Sequence, residues 1–244
     1  MPTQKILLLV GAIVVLAALV LGVVYLNPTE DVTVDYSLTT VADGTYTGEL
    51  PSLDREIQFL ATTDEAVRTA LRTKVAEDQA RLKRVPYDGN AWMDLALRYH
   101  SAGDYEGARE VWEFIVSVPP VNVTALGNLG RLHHFELKQY EKAEQYFFAA
   151  VEANPARPEA YYELFDLYRY SYKKDTTAAV DILKKASEFF PDDPGIPAGI
   201  AIFYRDTGRP ALARTYFEKA VVLARASGNL ELVQSFNSEL SNLP

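Results

Sequence analysis

The side chains best suited to chemistry in this 244-residue sequence are three histidines, His100, His133 and His134, and a scatter of carboxylates. Neighbouring imidazoles can share a metal ion or titrate near neutral pH, and carboxylates one helical turn apart, such as Glu163 and Asp166, can divide acid and base roles. The sequence has no cysteine, which removes disulfides, thiolate nucleophiles and cysteine zinc sites and leaves the redox compartment open. No HExxH, GxSxG, phosphate loop or dinucleotide glycine fingerprint occurs either. The expectation is therefore not an enzyme, with no cofactor and no metal. His133 is expected in a core position, His100 and His134 as polar residues of a surface groove, and Glu163 with Asp166 as a solvated helix face. A metal- or ligand-sensing role for His100, His134 and nearby tyrosines is kept as a rival.

These residues sit within a pattern that repeats. Pro86, Pro120, Pro155 and Pro191 recur at 34, 35 and 36 residues. Trp92, Leu126, Tyr161 and Pro197 keep the same step, as do Leu95, Leu129, Leu164 and Ile200, and Tyr99, His133, Tyr168 and Tyr204. A second set, Ala108, Ala143, Ala179 and Ala213 with Trp112, Phe147, Leu183 and Phe217 and with Ile115, Ala150, Ala186 and Ala220, steps by 35, 36 and 34. The slippage between the two sets places insertions between them.

Leu95 and Tyr99 lie four apart and share one face of a first helix; Ala108, Trp112 and Ile115 share one face of a second. Small Ala96, Gly130 and Ala201 permit close helix approach, and Phe165 breaks that rule. A proline at each boundary lacks the donor that a continuing helix needs. The aromatic, the leucine with a small neighbour, the tyrosine, the alanines and the boundary proline together resemble the tetratricopeptide repeat. The resemblance is densest over residues 89–122, with Trp92, Leu95, Ala96, Tyr99, Gly103-Asp104-Tyr105, Ala108, Trp112 and Pro120, where Ile115 replaces the usual alanine. It continues over 123–157, 158–193 and a divergent 194–227.

The expected fold is therefore all-α: an α-solenoid of about four such hairpins with a capping helix at each end. A Thr62-Thr63-Asp64-Glu65 capping box opens the N-terminal cover, residues 62–85, supported by Asp64 with Arg68 and Glu77 with Arg81. The C-terminal cover, 229–242, follows a stop at Gly228, with Leu232, Val233, Phe236 and Leu240 facing inward and Glu231, Gln234, Asn237 and Glu239 outward.

Ahead of the repeats, residues 6–26 form an apolar run of 21 residues without charge, about 31 Å as a helix and long enough to span a bilayer. It reads as an uncleaved transmembrane anchor, because cleavage near Leu16-Ala17-Ala18 would strand apolar residues at the new terminus. Lys5 puts the tail, residues 1–5, in the cytoplasm and the repeats on the other side. The net charge is -9, and between Asn27 and Leu60 seven acidic residues face Arg55 alone, which disfavours nucleic acid as a partner. The linker, 27–61, alternates over 31–50 like a two-stranded hairpin turning at Asp43-Gly44, or serves as an extended tether reaching roughly 30 Å.

The resemblance implies that another protein or peptide segment binds in the concave groove lined by the first helices. Positions there that do not pack are Met93, Asp94, Leu97 and His100; Asn128, Arg131, His134 and Phe135; Tyr162, Glu163, Asp166, Arg169 and Tyr170; and Ala198, Ile202 and Arg205. Asn128, Arg131, Tyr162 and Arg169 suit a peptide backbone and its carboxylates, while Tyr162 and Tyr170 offer flat contact area. The carboxylate-clamp pattern of some family members is not kept, since Thr124 and Tyr162 replace its polar partners. Tyr161, Tyr162, Tyr168, Tyr170 and Tyr172 cluster where the third repeat lengthens, either as a landing site or as cover. The expected role is a membrane-anchored scaffold or adaptor for envelope assembly or secretion support, with a noncatalytic subunit of a membrane enzyme complex as a further reading and self-association left open.

Overall fold

Side-chain caps set the helix starts. Asp64, Asp88, Asp104, Asn122 and Asn229 each accept a hydrogen bond from a backbone N–H two or three residues on, supplying one of the donors a helix N-terminus leaves unmet. The computed structural model describes residues 49–174 and 176–244, and among them the regular structure is helical. The helices are α1 (Glu65–Arg84), α2 (Gly89–Ala102), α3 (Tyr105–Ser117), α4 (Val123–Arg131), α5 (Tyr140–Ala153), α6 (Glu159–Asp166), α7 (Ala178–Phe189), α8 (Gly195–Asp206), α9 (Pro210–Ala226) and α10 (Leu230–Ser241). Each packs chiefly on its neighbours in sequence, so the chain builds a solenoid of antiparallel pairs, α2–α3, α4–α5, α6–α7 and α8–α9, between α1 and α10.

The recurring residues form its interior. Trp92, Leu95, Tyr99, Trp112 and Ile115 are buried in the first hairpin, and Phe147, Tyr161, Leu164 and Phe217 in the later ones. Each aromatic removes ~150–250 Å² from water. The repeat-opening aromatic also ties its helix to the boundary proline: Trp92 Nε1 donates to the Pro86 carbonyl (2.8 Å) and the Tyr161 hydroxyl to that of Pro155 (3.2 Å). Gly130 is small for a reason, since a Cβ there would stand 2.3 Å from the Phe147 ring.

The slippage between the two residue sets takes a definite form. In the second and third hairpins the first helix ends in a π turn, Leu132–Glu136 after α4 and Leu167–Ser171 after α6. Each absorbs one extra residue. The chain then reverses through a left-handed residue at four corresponding places: Gly103 (φ 85°), Lys138 (54°), Lys173 (57°) and Gly208 (72°). Two lysines thus hold a conformation that glycine adopts without cost.

The linker expectation needs correcting at its C-terminal end. Between Pro51 and Phe59 every second residue is half-buried and the intervening ones are exposed, the alternation of an extended strand laid on a surface. Leu53 and Ile57 pack on the first core cluster. The Arg55 guanidinium meets the buried Asp104 carboxylate at 2.7 Å, the Gln58 N–H donates to the same carboxylate (3.0 Å), and the Leu60 N–H donates to the Ala102 carbonyl (3.2 Å). Residues 51–60 are therefore a strap on the first hairpin, not tether. Arg68, expected to pair with Asp64, instead donates to the carbonyls of Leu60, Ala61 and Thr63. Arg81 pairs with Asp88 at 2.6 Å, not with Glu77, which takes Lys74. The anchor over 6–26, the tail before it and the turn at 43–44 lie outside the described residues; no described helix is long and apolar enough to cross a membrane.

Candidate binding groove

The first helices of the hairpins lie side by side, as the side chains that bridge them show. Arg131 on α4 donates to Asn128 (2.6 Å) and pairs with Glu163 on α6 (3.1 Å). Arg169, in the π turn after α6, pairs with Asp206 at the end of α8. Arg205 on α8 pairs with Asp206 (2.9 Å) and with Glu239 on α10 (2.5 Å). Glu239, expected to face away, is turned inward by that contact. Cations expected to grip a partner's carboxylates are thus already engaged, each stitching one hairpin to the next.

The remaining expected groove residues divide. His134 does not line the surface: it is 3% exposed, its ring lies on Phe135, and its Nε2 shares a 2.8 Å hydrogen bond with Ser171 Oγ. Burial, then Lys138, holds its pKa below the usual histidine value. The extra residue of the π turn swings it inward and presents Phe135 in its place. The Tyr162 hydroxyl donates to Asp193 (2.8 Å), and burial with that bond raises its pKa. Glu163 is raised by burial against the pull of Arg131. Asp166 remains exposed. Of the tyrosine cluster, Tyr161 and Tyr168 are buried and Tyr172 packs against Tyr140. Tyr170 alone of the five stays open, 54% exposed under the Arg169 guanidinium at 4.4 Å.

Sequence reasoning placed Leu97 and Phe135 on this face without giving them weight, and missed Glu136 and the floor residue Trp112. Leu97 is 40% and Phe135 48% exposed. Phe135 and Tyr170 are 35 residues apart, at the same place in successive π turns. Leu97, His100, Trp112, Asn128, Arg131, Phe135 and Glu136 enclose a cavity of about 320 Å³. A second, of about 480 Å³, adjoins it along Asn90, Met93, Asp94, Leu97, Thr124 and Asn128. His100 packs its ring on Tyr105 and Trp112. Among the described residues no group of three or more His, Asp and Glu side chains has the arrangement to hold a metal.

The fold and this layout define a helical-repeat protein with a lined face. A sequence profile for the tetratricopeptide repeat matches residues 93–158. Two crystal structures of MamA superpose with TM-scores of 0.52, at 22% and 21% identity, over 66% and 67% of this chain and 91% and 85% of theirs. No curated protein sequence matches the chain. Residues 93–158 thus match the tetratricopeptide repeat, and the likeness over the wider chain is one of fold.

Proposed function

We propose that the chain is a scaffold that holds a segment of another polypeptide on the face formed by α2, α4, α6 and α8, beside a bilayer to which residues 6–26 tether it. The observation that carries the reading is the pair Phe135 and Tyr170. Two large aromatic side chains at equivalent places are pushed into solvent by π turns, a distortion that sits disproportionately at functional positions. Aromatic side chains are enriched where proteins meet, and two of them at one register on one face suit a partner's contact. In this reading the N-terminal tail is cytoplasmic and the repeats face the other compartment, positioned by a short tether and by the strap that fixes its end to the first hairpin.

The test is a photo-crosslinking amino acid placed in turn at Phe135, Tyr170 and, on α9, the exposed Val222, in the full-length chain in its native membranes. The first two positions are expected to capture one common polypeptide that Val222 does not. Equal capture from all three retires the groove. Removal of residues 1–26 is expected to release the chain from sedimenting membranes, and a chain that still sediments overturns the tether.

A further inference from the structure

We infer that the trough between α2 and α4 recognises a basic stretch of the partner built around one large apolar side chain. The inference deepens the scaffold reading and rests on it. Leu97 and Asn128 are common walls of the two adjoining cavities, and Leu97 with Phe135 makes an apolar rim that nothing in the described chain covers. Below them Trp112 is 2% exposed, and its Nε1–H finds no acceptor. Asn128 is held in one orientation because its Oδ1 accepts from Arg131, which leaves its Nδ2 facing only the Met93 sulfur at 3.8 Å. A thioether is a weak acceptor. The Asn128 amide, facing only that weak acceptor in an apolar trough, suits a carbonyl group of an extended peptide, whose side chain would fill the space above the indole.

Charge selects the rest. Among the described residues the one lysine or arginine lining the trough, Arg131, is already paired with Glu163. Asp94 and Glu136 lie at its two ends without a cationic partner among the described residues; Glu136 has the Tyr105 phenol instead. Farther along, Arg169, Arg205, Asp206 and Glu239 neutralise one another. Lysine or arginine flanking the apolar anchor is therefore favoured at the α2–α4 end and by nothing comparable beyond α6.

The experiment uses phage-displayed random peptides selected on the immobilised full-length chain, with one enriched peptide then synthesised and titrated. Enriched sequences are expected to place leucine, methionine, phenylalanine or tryptophan within three positions of lysine or arginine. Leu97→Glu and Glu136→Lys are each expected to weaken that peptide about tenfold, while Val222→Ser, on the exposed side of α9, leaves it unchanged. Leu97→Ser, with an unchanged melting temperature and the same direction of effect, separates lost contact from lost fold. Enriched peptides that are acidic, or whose binding depends on Tyr170 and not on Leu97, overturn the trough and leave the scaffold reading standing. No enrichment, or binding insensitive to every substitution on this face, overturns both.

Discussion

His133 lies inside the second hairpin, fully buried, with its ring stacked on Tyr146 (centroids 5.3 Å apart, planes 15° apart). Burial, and after it Lys142, holds its pKa below the usual histidine value, and His134 is lowered the same way. Folding thus favours the neutral rings. Their contribution to stability is complete above the unfolded histidine pKa of about 6.5 and is lost as pH falls through the lowered folded value. Asp78 and Glu163, raised chiefly by burial, act with the opposite sign, gaining stability as pH falls through their raised folded values. The expected outcome is a melting temperature that drops between pH 7 and pH 5 in the parent and drops less in His133→Phe; parallel slopes would refute it. The core role of His133 was legible from its place in the tyrosine series. The inward turn of His134 was not, because a one-residue helix expansion decides it.

The two π turns make the same point about elements. Slippage in residue spacing showed that the second and third repeats lengthen, yet spacing alone does not distinguish a longer loop from an expanded helical turn. The expanded turn leaves Lys138 exposed in a left-handed conformation that costs a non-glycine residue roughly 1–2 kcal/mol. Lys138→Gly is expected to stabilise the chain by about 0.5–1 kcal/mol after the added freedom of the unfolded glycine is counted, seen as a higher urea midpoint. The strap offers a second test. Asp104 caps α3 through the Gly107 N–H and also accepts from Arg55 and Gln58, all on a nearly inaccessible carboxylate. Arg55→Ala leaves that charge under-compensated, a loss of about 1–3 kcal/mol given that Arg55 itself is partly solvated. Hydrogen exchange at the Leu60 amide is expected to quicken well before that of α2; unchanged exchange there would show that the strap holds by Leu53 and Ile57 alone.

For the whole molecule, stability is close to a sum over neighbouring helices. α10 covers the last hairpin through Phe236 on Phe217 and through Glu239 on Arg205. Removal of residues 229–244 is expected to strip hydrogen-exchange protection from α8 and α9 while the amides of α2 and α3 keep theirs; uniform loss along the chain would mean a single cooperative unit. The sequence by itself determined that the repeats are helical and which side chains fill their interior. Those properties follow from residue type and from side-chain period, both local. Only the tertiary structure decided that the groove arginines are spent on neighbouring hairpins, that Phe135 and Tyr170 stand open while His134 closes, and that residues 51–60 are bound to the first hairpin. Each of these depends on which side chain of another repeat arrives within a few ångströms, and a periodic pattern carries no record of that distance.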